Sequence, residues 1–261
     1  MKRVEIQYLL PDEIVKERRR NSIIYLPVGP LEWHGPHLPL GVDALRAHLA
    51  AVEIARRTGG VVLPTLFIGT ERERSKKMLR NIGFKGDEYI VGMDFPSNCL
   101  PSLYFPEETF AIILRDYLHL IIEKWKFKNI IIVNGHGGEN HLGVIERLIK
   151  EFTAKRKVKI IHVMPMLNFP KHRWSHATLE ETETIMAFFP ESVNLEKLPD
   201  GDIKNIEFGI VDDLTFKGKP QKNFSVREEE DPRKATQEKG RKDFERTISQ
   251  LVRFIMKKLE E

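Results

Sequence analysis

Residues 129–138 read Asn-Ile-Ile-Ile-Val-Asn-Gly-His-Gly-Gly. The β-branched run Asn129–Val133 has the length and composition of a buried strand, and it leads without a break into a glycine-rich turn around His136. Glycines on both sides permit tight backbone and close approach to a ligand, so His136 leaves the strand end with little bulk around it. A strand that is apolar throughout belongs to a sheet covered on both faces.

Outward from this stretch the pattern alternates. Ser22–Val28 (SIIYLPV) is a second buried strand, ended by Gly29-Pro30. Asp43–Arg57 has helical spacing of Leu45, Leu49, Val52 and Ala55. Val61–Leu66 and Val158–Val163 read as further strands. Helices are expected over Phe110–Lys126, Leu142–Phe152, Glu180–Phe189 and Thr236–Leu259. Strand alternating with helix predicts an α/β fold with a mostly parallel sheet covered by helices. In such sheets ligands bind beyond the carboxyl ends of the strands. We read 1–261 as a single domain, with a surface insertion around 205–230 where Lys217–Ser225 (KGKPQKNFS) is polar and broken by Gly and Pro.

Composition narrows the function. Hydrophobic residues make up 41%, enough for a core, and charged residues 31%. The net charge is +4, from 42 basic and 38 acidic residues. Basic residues are interleaved with acids, as in Arg72-Glu73-Arg74, which argues against a nucleic-acid partner. No apolar run is long enough to span a bilayer, and no leader-like apolar stretch opens the chain, so a cytoplasmic protein with no membrane partner is expected. The one cysteine, Cys99, fits a reducing compartment and reads as incidental.

Three clusters carry chemistry. Glu32, His34 and His37 lie in a loop rich in Gly and Pro, with Asp43 at the start of the next helix. Side chains alternate in extended backbone, so Glu32 and His34 point to one side and can serve one ion or an ion pair. Asp43 could instead be a plain helix cap. Mixed imidazole and carboxylate ligands suit Zn or Mn, with Fe as a further option. One Asp has two oxygens and can bridge two such ions, an arrangement that activates water. His37 and Asn134 are candidates for orienting ligands from behind. In the second cluster, Gly137 and Gly138 beside His136 offer backbone N–H groups for an oxyanion, and Glu139 offers another carboxylate. The third is His176 with Glu180, Glu181 and Glu183. His176 suits proton transfer, and Trp174 suits the wall of a pocket for a flat substrate. The three acids also suit the dipole of a helix start.

Together these segments resemble the creatininase (creatinine amidohydrolase) family. Residues 26–43, LPVGPLEWHGPHLPLGVD, are similar to its PVGSxEQHGPHLPLxTD signature, NGHGGEN at 134–140 to NGHGGN, HATLEET at 176–182 to HAGxxET, and 231–240 to its late GDPxxAT…EKG stretch. The resemblance implies a three-layer α/β/α domain and two divalent metal ions per chain. Glu32 and His136 would ligate one ion, His34 the other, and Asp43 would bridge. The remaining carboxylate is Glu181 or Glu139: Glu181 matches the HAGxxE acid, while Gly138 stands where creatininase has an acid. The resemblance further implies a small-molecule amide substrate, catalytic parts for His176, Glu181 and Glu139, and a homo-oligomer, a hexamer. Trp33, Pro30, Gly137 and Thr178 depart from the family pattern around the substrate, which leaves the substrate open. Relatives include a formamidopyrimidine deformylase. A phosphoesterase, or a non-catalytic protein that keeps the metal site, are the readings from other classes.

Overall fold

The computed structural model describes residues 3–96, 98–154, 156–171, 176–201, 203–206, 209–211 and 228–261. The central sheet is made of β1 (Ile23–Val28), β2 (Val61–Val62), β3 (Asn129–Asn134) and β4 (Lys159–Val163) in the order β2-β1-β3-β4, with every neighbouring pair parallel. Ile23 pairs with Asn129 and Val28 with Asn134, so β1 and β3 end level. The loops carrying Glu32 and His136 therefore leave the sheet side by side.

Period-two alternation sends successive strand residues to opposite faces. Ile24, Leu26, Val28, Ile130 and Ile132 pack with Phe110, Leu114 and Leu118 of α4 (Glu107–His119) and Val144, Ile145 and Leu148 of α5 (Glu139–Thr153). Ile23, Tyr25, Ile131 and Val133 face Ala47, Ala50, Ala51 and Ile54 of α2 (Val42–Thr58), and Ile248, Leu251 and Ile255 of α7 (Gln237–Glu260). This is the three-layer arrangement expected. The full burial of Ile24, Leu26, Ile130, Ile131 and Ile132 explains why the strands read as unbroken apolar runs. Among the described residues no helix is long and apolar enough to cross a membrane.

Several boundaries differ from expectation for physical reasons. The strand read over 61–66 stops at Val62. Pro64 cannot donate to the ladder. Pairing returns only as a Val28–Leu66 bridge, with Leu66 N–H donating to Pro27 O. The helix read over 110–126 begins earlier and changes after His119 to a π-helical turn over Leu120–Lys124. Two helices were not anticipated. In α1 (Pro11–Arg20) no residue is buried, so it carries no clear apolar stripe; Glu13 Oε2 accepts the Leu10 N–H and Pro11 opens the helix. The short α3 (Lys76–Asn81) is capped by Ser75 Oγ on Met78 N. Within the expected insertion, Lys204–Ile206 (β5) and Gly209–Val211 (β6) pair as antiparallel strands, and most of 212–230 lies outside the described residues.

The helix α6 (Leu179–Phe188) crosses α7 so closely that a Cβ at Gly240 would come within 2.0 Å of Glu183 O. In an open helix Gly→Ala stabilises by about 1 kcal/mol. Here Gly240→Ala should instead destabilise by about 1–3 kcal/mol through overpacking. Chemical denaturation measures the sign; a stabilised variant would contradict the close α6–α7 contact.

A candidate metal centre at the ends of β1 and β3

The β1 loop and the β3 turn meet over the first turn of α2. A Cβ at Gly135 would lie 2.0 Å from Asp43 O, so glycine is what admits the helix start between the two strand ends. Asp43 is thereby held between His34 and His136, and all three are buried. Asp43 Oδ1 lies 3.3 Å from His34 Nε2, and Oδ2 lies 3.0 Å from His136 Nδ1. Glu32 Oε2 is 3.3 Å from His136 Nδ1 and 3.7 Å from His34 Nε2. Glu181, from α6, places Oε2 3.7 Å from His34 Nε2.

Ring protonation follows from the partners. His34 Nδ1 is 3.0 Å from Glu32 O, and His136 Nε2 is 3.2 Å from Thr70 O. A carbonyl only accepts, so these nitrogens carry the hydrogens. The other nitrogen of each ring then turns a lone pair toward carboxylate oxygens. Lone pairs facing lone pairs in a buried space repel, so a cation must lie between them, a proton or a metal ion. His34 Nε2 is buried and makes no hydrogen bond. An imidazole donating its far N–H to a backbone carbonyl is the arrangement metal-binding histidines adopt. The residues fit a divalent metal.

Among the described residues, three groups bring ligand atoms within 4.8 Å of one another: Glu32, Asp43 and His136; His34, Asp43 and Glu181; Glu32, His34 and His176. Asp43 is common to the first two. His176 is partly buried, places Nδ1 3.7 Å from Glu32 Oε2 and donates from Nε2 to Trp33 O at 2.7 Å. Glu139, the first residue of α5, is exposed at the pocket rim and belongs to none of these groups. The pocket, about 220 Å³, is lined by Glu32, Asp43, His136, His176 and Glu181 together with Gly135, Gly137, Gly138 and three methionines, Met93, Met164 and Met166, while His34 lies buried behind it.

Other expected residues lie differently. The Trp33 indole does not line this pocket; it packs with Leu79, Ile82, Val91 and Phe95, and only its carbonyl reaches the site. Trp174 lies outside the described residues. His37 donates from Nε2 to Thr182 Oγ1 at 3.0 Å and so ties the ligand loop to α6. Asn134 braces the β3 turn, donating from Nδ2 to His136 O and accepting the His136 N–H on Oδ1.

The sequence reading missed four residues here. Arg46, buried one turn beyond Asp43, donates to Glu181 Oε1 at 2.7 Å and to Pro165 O at 3.0 Å. Its i, i+3 spacing from Asp43 is the signal that could have found it. Tyr104 donates to Glu32 Oε1 at 2.5 Å. Glu71, 3.4 Å from His136 Nε2, is buried in the pocket wall within a charged run that reads as solvated surface. His141 donates to Asn134 Oδ1 and stacks on Phe110.

The family model for creatininase, creatinine amidohydrolase, matches residues 8–255. A creatinine amidohydrolase of Pseudomonas putida is 23% identical over 200 residues, 69% of each chain. A crystal structure of creatinine amidohydrolase superposes with a TM-score of 0.70 at 19% identity, over 98% of this chain and 97% of that one. A manganese creatininase structure gives 0.70 at 17% identity, over 98% of both. A parallel α/β sheet that delivers carboxylates and imidazoles to one pocket at its carboxyl edge suits a metal-dependent hydrolase. The chain belongs to the creatininase family.

The ionisation of the metal-free site has a definite sign. Burial alone would lower the pKa of His34, but the charges of Asp43, Glu181 and Glu32 overcome it and raise it to about 9. His136 is likewise raised well above its ordinary value by Glu32 and Asp43 against burial. Burial lowers His37 to about 3 and His162 to about 4. A raised folded-state pKa contributes stability that is full below the unfolded value of about 6.5 and is lost as pH rises through about 9. A lowered one contributes stability that is lost as pH falls below about 6.5. The chelator-treated protein should therefore be most stable near pH 6.5 and lose stability toward pH 9. Denaturant titrations across this range test it; constant or rising stability from pH 6.5 to 9 would contradict it.

Proposed function

We propose that the protein is a dinuclear-metal amidohydrolase that cleaves a carbon–nitrogen amide or cyclic amide bond in a small, creatinine-like molecule. The observation that carries the reading is the pair of buried imidazoles, His34 and His136, each committed to a carbonyl on one side and aimed at a separate oxygen of Asp43 on the other. In this reading Glu32, Asp43 and His136 would hold one ion and His34, Asp43 and Glu181 the other, with Asp43 common to both sets. Among similar solved structures are a manganese creatininase, a mutant creatininase of Zn–Zn type, and a mutant creatininase complexed with creatine. Zn and Mn are accordingly the metals we assign, both suited to imidazole and carboxylate donors.

When bound, the ions supply Lewis acidity and lower the pKa of water at the site. The chain supplies the remainder. The glycines in the pocket wall leave room for a carbonyl near the centre, and the Gly137 and Gly138 backbone would offer N–H groups to a developing oxyanion. His176, at the pocket wall with Nε2 fixed on Trp33 O, keeps Nδ1 for proton transfer toward the leaving nitrogen. Water oxygen bonds to the carbonyl carbon, the carbon–nitrogen bond breaks, and the water's proton ends on nitrogen. The three methionines add apolar surface to the pocket wall. Glu181, rather than Glu139, is the carboxylate we assign to the second ion, because its Oε2 faces His34 while Glu139 stays at the rim.

The test is chelation followed by metal add-back, assayed on creatinine, other cyclic amides and formamides. Hydrolysis of at least one substrate should fall by about a hundredfold or more and return with Zn or Mn, as expected where metal activation of water supplies much of the rate. No loss on chelation, or release of phosphate from phosphoesters in its place, would overturn the reading. Asp43→Ala should lose both ions by elemental analysis; retention of two would remove the bridging role.

A further inference from the structure

The three carboxylates at the centre are not held alike. Glu32 accepts the Tyr104 hydroxyl on Oε1 at 2.5 Å, which leaves Oε2 to face His136 Nδ1 at 3.3 Å and His34 and His176 at 3.7 Å. Glu181 accepts Arg46 Nη1 on Oε1 at 2.7 Å, which leaves Oε2 to face His34, where it also accepts the Ala177 N–H. Asp43, between them, turns one oxygen to each imidazole. In each outer glutamate Oε1 is thus taken by a side-chain donor and Oε2 is the oxygen turned to the imidazoles, which in Glu181 is also steadied by a backbone N–H, whereas the middle aspartate offers both oxygens.

The two pins are themselves supported. The Tyr104 ring lies against the backbone of Gly92, where a Cβ would come within 2.3 Å of it, and its hydroxyl accepts Met93 N–H at 3.3 Å. Neighbouring residues clasp the same ligand loop: Leu103 N–H donates to Leu31 O, and Trp33 N–H donates to Ser102 Oγ, which in turn donates to Asp94 Oδ1. Arg46 is buried and is fixed by Pro165 O and Glu180 Oε1 as well as by Glu181.

We propose that Tyr104 and Arg46 are positioning residues, one for each ion, which hold Glu32 and Glu181 to one-oxygen ligation and so keep the two metal sites separate about Asp43. The proposal rests on the dinuclear reading above. An unrestrained glutamate can rotate to offer either oxygen, or both, to a single ion. Engaging Oε1 with a strong donor removes that freedom, and outer partners of this kind are commonly worth 10–100-fold in metal affinity.

The test is a zinc titration with a competing chelator on the full chain. Wild type should bind two equivalents. Tyr104→Phe keeps the ring and removes only the hydroxyl; it should weaken one equivalent by about 10–100-fold and leave the other within about twofold. Arg46→Lys keeps the charge and loses the planar fork; it should weaken one equivalent likewise. The double variant should weaken both, because the two residues serve different ions. Should Arg46→Lys fail to fold, Tyr104→Phe decides alone. Wild-type binding of both equivalents by Tyr104→Phe, or equal weakening of both in that single variant, overturns the proposal. A wild-type chain that binds no zinc overturns the dinuclear reading and the proposal with it.

Discussion

The site depends on where Asp43 sits. Its carboxylate is buried between two imidazole nitrogens, at 3.3 Å from His34 and 3.0 Å from His136. Burial alone would push its pKa up, yet the two histidines hold it well below the ordinary value. That balance requires the first turn of α2 to enter the gap between the ends of β1 and β3, which the lack of a side chain at Gly135 permits. The even ending of the paired strands, the Gly/Pro loop after β1 and the glycine turn after β3 all serve this one approach.

Around it the polar groups form a connected set. His141 donates to Asn134, Asn134 braces the backbone of His136, and His136 donates to Thr70 O. On the other side His37 donates to Thr182 of α6, the helix that carries Glu181. Buried networks of this kind specify geometry when each member has a partner, and they are costly when one is lost. The helix α6 in turn rests on α7 at Gly240, so the position of Glu181 is set by packing as well as by Arg46.

How much of this was legible in the sequence depended on range. The strands, the main helices and the three layers followed from local periodicity, since each strand is covered on both faces. Glu32, His34, Asp43 and His136 lie in short motifs directly after strands, where local sequence and position in the fold carry the same signal. Tyr104 contacts Glu32 across a separation of 72 residues, and no local pattern marks it. Glu71 is hidden in an alternating charge run, Glu71-Arg72-Glu73-Arg74, which reads as solvated surface although Glu73 is its one exposed member. Trp33 stands inside a ligand motif, yet its indole faces the opposite way and joins an apolar cluster, because alternation along the loop that points Glu32 and His34 inward sends Trp33 outward. The strand read over 61–66 stopped short where a proline, Pro64, removes a donor.

The most direct measurement is anomalous diffraction from crystals of the zinc- or manganese-loaded protein. The account predicts two peaks flanking the Asp43 carboxylate, one against Glu32 and His136 and the other against His34 and Glu181. A single peak, or density at Glu139 in place of Glu181, would contradict it.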